Sequence, residues 1–135
     1  INGHGGNSFK NMIRDLSLDY PDFLIATSEW FTFVPAKEYF DEPGDHADEL
    51  ETSVMMHYHP ELVDLSEAGD GKSKKFASQM LNEKVAWIPR HWMKVSEDTG
   101  IGNPKKASAE KGKRYVEAVT AKYAQLFKEL TEEIY

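Results

Sequence analysis

The chain has 135 residues, 16 basic and 23 acidic side chains, and a formal net charge of −7, a size suited to one domain. An acidic pI near 5.2 argues against the clustered positive face that phosphate backbones require, and the absence of cysteine excludes disulfides and thiolate zinc knuckles. No apolar run approaches the roughly 18 residues of a membrane helix, and no signal peptide is visible, so the cytoplasm is the expected compartment.

The chain opens on Ile1-Asn2-Gly3-His4-Gly5-Gly6-Asn7, a glycine-dense turn with no strand and no initiator methionine ahead of it, which suggests that upstream sequence is missing. Phe9, Met12, Ile13 and Leu16 then recur at helical spacing, with Asn7 or Ser8 able to cap the helix. Tyr20-Pro21 breaks it. Asp22 to Phe33 is rich in branched and aromatic residues and reads as a largely buried strand. A helix followed by a strand implies a crossover unit, and a parallel one would need a strand before Ile1.

Val34 to Gly44 reads as a surface loop, followed by a helix from about Glu49 to Tyr58 that Pro60 ends or converts into a short new turn. Segment 66–82 mixes glycine, lysine and serine and assigns no element. Val85 to Val95 has strand-forming residues, which Pro89 restricts to an edge or a bent ribbon, and Asp98 to Pro104 is dense in turn formers. The strongest pattern comes last. Val116, Val119, Tyr123, Leu126, Phe127, Leu130 and Ile134 form an apolar stripe, predicting a helix over about 107–133 despite Gly112.

Three groups of residues could carry chemistry. The first turn can be plain structure, a phosphate cradle of the Gly5, Gly6 and Asn7 amides, or a metal site in which His4 offers an imidazole nitrogen. It matches neither GxxxxGK[ST] nor a full GxGxxG, so its pattern carries little nucleotide signal. In the second group, His46 precedes Asp48-x-x-Glu51, where Asp48 suits an N-cap and Glu51 the third helical position. Pattern alone favours a capping box, in which Glu51 reaches back to a backbone amide, over a ligand role. His57 and His59 flank Tyr58; such a pair can chelate a metal from a strand, but at a helix end residues two apart diverge, which favours exposed or capping histidines. His91 lies between Arg90 and Trp92, suited to packing or substrate contact. Trp30 ends the expected strand, a position that is more often core than site, although strand ends are where α/β proteins place ligands.

Together these residues resemble the creatininase (creatinine amidohydrolase) family. The resemblance rests on Asn2-Gly3-His4-Gly5-Gly6-Asn7, Ser28-Glu29-Trp30-Phe31, His46-Ala47-Asp48-Glu49-Leu50-Glu51-Thr52-Ser53, Pro60-Glu61-Leu62-Val63-Asp64, Gly102-Asn103-Pro104 and Ala107-Ser108-Ala109-Glu110-Lys111-Gly112, in that order. It implies a three-layer α/β/α fold with a mainly parallel sheet, of which this chain is the C-terminal half of a single domain. It further implies a metal-dependent hydrolase of amide or other non-peptide carbon–nitrogen bonds, holding two divalent ions of zinc, manganese or iron, acting on a small-molecule amide and forming a homo-oligomer such as a hexamer. By the same resemblance His4 and Glu51 are metal ligands, His46 is the catalytic histidine, and Trp30, Gly5 and Gly6 border the substrate.

Some positions depart from the pattern. Creatinine-hydrolysing members carry a glutamate ligand where Gly6 stands and a tryptophan where Glu42 stands, so the departures point away from creatinine itself; Asp48 replaces a glycine. The remaining ligands would come from the missing N-terminal half. Two rival readings stand beside this one: a non-catalytic α/β module binding an anion or nucleotide at the Gly-rich turn, and an assembly domain without catalysis.

Overall fold

The computed structural model describes residues 1–133, in two compact units: Ile1–Pro35 together with the chain from Val116 onward, and Ala36–Tyr115. Ile134, the last position of the expected apolar stripe, lies outside the described residues.

In the first unit, α1 spans Lys10–Asp19. Its N-cap is Phe9, with no side-chain cap, so neither Asn7 nor Ser8 takes the capping role. The Asn7 side chain instead donates to Asn2 Oδ1 at 3.1 Å. Phe9, Ile13 and Leu16 are half-buried, as their spacing predicts, while Met12 is exposed. The later part of α5 (Ala109–Leu130) completes the unit with Val119 and Tyr123 buried. Tyr123 stacks on Phe33 with ring centroids 4.0 Å apart and accepts a 3.0 Å hydrogen bond from Ser28 Oγ, so aromatic packing and a satisfied hydroxyl fix the same side chain.

The second unit holds α2 (Glu49–Tyr58), α3 (Gln79–Asn82), α4 (Trp92–Val95) and the first turns of α5. Pro60 opens a 3-10 turn, Pro60–Leu62, as its position after the α2 terminus predicts. The buried Leu50, Phe40 and Tyr115 form the apolar centre, with the Phe40 and Tyr115 rings 5.2 Å apart. At the start of α2 the fully buried Glu49 accepts from Glu42 N at 2.6 Å and pairs with Lys111 of α5. Lys111 also reaches Asp41 at 2.7 Å, and Lys106 reaches Glu42 at 2.8 Å.

These ion pairs set an acid limit on the unit. The hydrogen bond and charge of Lys111 hold the Asp41 carboxyl below its ordinary 3.8, and Lys106 with Asn103 holds Glu42 below 4.5. A carboxyl depressed in the folded state stabilises fully above its unfolded pKa and loses that contribution as pH falls through the folded value. Thermal stability contributed by these pairs is therefore expected to be flat from neutral pH down to about pH 5 and to fall below about 4.5. Melting followed by circular dichroism across pH 2–7 checks this, and Lys111→Met should remove the part of the slope due to Asp41; an unchanged slope would refute the assignment.

The described residues contain no β-sheet. Strand pairing amounts to two isolated bridges, Asn2 with Glu29 (parallel) and His46 with Ile101 (antiparallel). The expected three-layer α/β/α fold with a mainly parallel sheet is thus overturned for this chain. Branched and aromatic residues report a preference for a buried pleated surface, but a strand also needs a neighbour to take its N–H and C=O groups. Asp22–Phe33 finds such a neighbour only at Glu29 and then coils into a 3-10 turn at Trp30–Thr32. Val85–Val95 contains Pro89, which has no N–H to donate, leaves Trp87 83% exposed, and ends in α4.

Candidate functional site

The Gly-rich turn of the first unit is built around Asn2, which is buried. Its Oδ1 accepts from His4 N and Asn7 Nδ2, both at 3.1 Å, and its backbone N–H donates to Ser28 O at 2.6 Å. The amide side chain thereby ties both ends of the turn together, and the backbone N–H of the same residue ties the turn to the segment that leads into Trp30. The His4 imidazole is exposed and folds back so that its Nδ1 accepts from Gly6 N at 2.9 Å. A Cβ at Gly6 would stand 2.9 Å from two atoms of that ring, so the glycine is what admits the imidazole there. Gly5 has a different neighbour: its Cβ position would be 3.6 Å from Phe31, an ordinary contact.

This arrangement bears on two readings of the turn. Gly6 N is occupied by His4 Nδ1 and Asn7 N donates to His4 O at 3.1 Å, so two amides of the supposed phosphate cradle are already engaged. For a metal, neutral imidazole with Nδ1 accepting carries its proton on Nε2. A cation at Nε2 would need that proton moved to Nδ1, and a cation at Nδ1 would displace the Gly6 N–H. Either way, loading His4 requires the Gly6 contact to open.

Trp30 is half-buried and meets Phe31 edge to face, ring centroids 6.1 Å apart. It sits in a 3-10 turn directly after the Asn2–Glu29 bridge rather than at the end of a strand.

The second unit brings His46 and Glu51 together. Asp48 is the N-cap of α2; its Oδ1 accepts from Glu51 N at 2.9 Å and its Oδ2 from Gly44 N at 2.6 Å. Glu51 Oε2 reaches back to Ala47 N at 2.7 Å, so the reciprocal box closes one residue earlier than the standard pattern. Ala47 has a φ of +48°, a left-handed conformation that turns the chain sharply between His46 and the helix. His46 is pinned on both backbone sides by Ile101, with N–O distances of 3.0 and 2.8 Å. Its Nδ1 then lies 3.9 Å from Glu51 Oε2.

Because both Asp48 oxygens accept backbone amides, Asp48→Ala is expected to destabilise the protein by about 2 kcal/mol, the upper end for a lost cap. Urea unfolding checks this; a loss below about 0.5 kcal/mol would show that the box does not hold α2.

Glu51 also borders an open cleft of about 360 Å³ with Thr52, Met55, Leu62, Val63 and Leu65, mostly apolar walls with Asp64 as a second acid. His57 packs against Tyr58, His59 lies 3.2 Å from Glu61, and His91 is exposed at the start of α4. Reasoning from sequence missed Trp92, whose ring stands 4.8 Å from that of His46, and Arg90, which lies over Trp92 and pairs with Asp45. The only local sign was the aromatic and basic density of Arg90-His91-Trp92.

The donor types of His4 and Glu51 suit a divalent ion, since neutral imidazole and carboxylate both ligate zinc and manganese. Their number does not suffice: among the described residues no three His, Cys, Asp or Glu side chains gather to hold a metal. Nor, among the described residues, is any helix long and apolar enough to cross a membrane.

Comparison with known proteins bears on the whole chain. The family model described as creatininase, creatinine amidohydrolase, matches residues 1–127. A crystal structure from Bacteroides fragilis, provisionally named a creatinine amidohydrolase, is 63% identical with a TM-score of 0.91, over 97% of this chain and 52% of that one. A glutamate-to-glutamine mutant creatininase complexed with creatine is 26% identical with a TM-score of 0.74, over 95% of this chain and 54% of that one. A mutant creatininase of Zn-Zn type is 23% identical with a TM-score of 0.66, over 90% and 48%. This chain therefore spans about half the length of the solved structures it matches. No curated protein matches it significantly. With the family pattern running through both the His4 turn and the His46–Glu51 segment, the chain belongs to the creatininase family.

Proposed function

We propose that this chain carries part of the active site of a metal-dependent amidohydrolase acting on the amide, or another non-peptide carbon–nitrogen bond, of a small molecule. The observation that carries the reading is the family match over residues 1–127, a span that contains His4, Trp30, His46 and Glu51. In this reading His4 and Glu51 each supply a ligand to a centre of two divalent ions, zinc, manganese or iron. The rest of the donor set comes from the part of the relatives that this chain does not span. Bound there, such ions polarise a carbonyl and make water nucleophilic near neutral pH.

The chain's own residues do the remainder. His46, beside Glu51 and partly open to solvent, takes the proton given up by the attacking water and delivers it to the leaving nitrogen as the carbon–nitrogen bond breaks. Gly5 and Gly6 let the substrate come close to the backbone, and Trp30 forms a wall. The Glu51 cleft, with Met55 and Leu62, suits an amide carrying an apolar group. Gly6 stands where creatinine-hydrolysing members carry a glutamate ligand, and this departure directs the reading away from creatinine. The working protein is a homo-oligomer in the cytoplasm.

The test uses the complete protein carrying this chain. Elemental analysis should find about two transition-metal ions per protomer, and hydrolysis of small amides, N-formyl compounds and creatinine, followed by NMR, should vanish with chelator and return with zinc or manganese. Metal-free protein with no metal-restored hydrolysis would overturn the proposal.

A further inference from the structure

The imidazole of His46 is oriented by something other than a hydrogen bond. Its backbone is pinned to Ile101, which does not by itself set the side-chain torsions, and the 3.9 Å from Nδ1 to Glu51 Oε2 is too long for a hydrogen bond to fix the ring plane. What touches the ring is Trp92, half-buried, with centroids 4.8 Å apart and planes inclined by 50°. The indole is held in turn. The Arg90 guanidinium stands 5.3 Å from its centroid, a cation–π distance, and pairs with the carboxylate of Asp45, the residue before His46. Asp45, Arg90, Trp92 and His46 thus close a circuit that joins the loop before α2 to the start of α4.

We propose that Trp92 is a positioning residue that sets the plane of the His46 imidazole, with Arg90 and Asp45 holding the indole against it. Its catalytic importance rests on the reading of His46 as the proton-transfer group; the contact itself does not. A flat aromatic face restricts the imidazole where an aliphatic side chain would let it turn. The Asp45–Arg90 pair keeps that face from swinging outward with α4.

The test uses the complete protein with isotopically labelled histidine at a single pH. The His46 ring signal is identified by its disappearance in His46→Gln. It should be shifted upfield by the indole ring current, lose that shift in Trp92→Leu, and regain most of it in Trp92→Phe. Carbethoxylation of His46 by diethyl pyrocarbonate, read by mass spectrometry, should become several-fold faster in Trp92→Leu and return towards the wild-type rate in Trp92→Phe. Arg90→Met, which opens no cavity, should lose part of the shift and supplies the answer if Trp92→Leu does not fold. An unchanged His46 signal in folded Trp92→Leu, or in Arg90→Met where that variant alone folds, would overturn the proposal. If the signals move as expected but His46→Gln hydrolyses amides at the wild-type rate, the positioning contact stands and the proton-transfer reading falls.

Discussion

Replacing His4 by alanine in the complete protein is expected to lower metal-dependent hydrolysis by about 100-fold or more and to reduce bound metal, while changing unfolding stability by less than about 0.5 kcal/mol. The two halves of that expectation have separate causes. The imidazole is exposed and its internal hydrogen bond is to Gly6 N, a group that water can satisfy once the ring is gone, so little folding energy is at stake. As a ligand, its loss would remove one of the few donors this chain supplies. Glu51 makes the complementary case, because its carboxylate also closes the α2 cap through Ala47 N. Glu51→Ala should cost about 1 kcal/mol and the activity together. Glu51→Gln keeps an oxygen for Ala47 N but loses the charge, and should cost activity with most of the stability retained. Metal analysis, kinetics and urea unfolding on the three variants separate ligand from cap. Full activity in His4→Ala, or in Glu51→Gln, would mean that the residue replaced is not a metal ligand.

What the sequence made legible follows from how local each signal was. The N-cap at Asp48, the α2 span, the 3-10 turn at Pro60 and most of the last helix each depend on a few neighbouring residues, and each stands where the pattern placed it. The strands failed because pairing is not local: aromatic and branched residues at Asp22–Phe33 cannot indicate whether a partner backbone lies beside them. Within the site, Asp48 and Glu51 were readable as a box because cap and acceptor are three residues apart. The contact of His46 with Trp92, 46 positions later, has no periodicity to betray it, nor does the pairing of Arg90 with Asp45. Of the two roles read for Glu51, the geometry makes the capping one, through Ala47 N, and leaves the side chain at the border of its cleft.

Gly112→Ala is expected to destabilise the protein by about 3 kcal/mol, although helix propensity alone predicts a gain of up to about 1 kcal/mol. The reversal comes from α2. A Cβ at position 112 would stand 2.0 Å from Ser53 O and 2.8 Å from Val54 N, atoms of the α2 backbone that cannot turn aside as a side chain would. To admit the methyl group the helices must separate by more than an ångström. That separation would break the 3.1 Å bond from Ser108 N to the fully buried Ser53 Oγ and loosen the Lys111 pairing with buried Glu49. Ala124→Gly, at an exposed position of the same helix, should cost only about 1 kcal/mol and serves as the measure of propensity without contact. Urea unfolding of both variants decides between propensity and packing, and a Gly112→Ala protein as stable as wild type would show that the two helices can part without loss. Ser53 lies two residues beyond Glu51 on α2, so the same displacement should shift the carboxylate and lower hydrolysis in the molecules that remain folded.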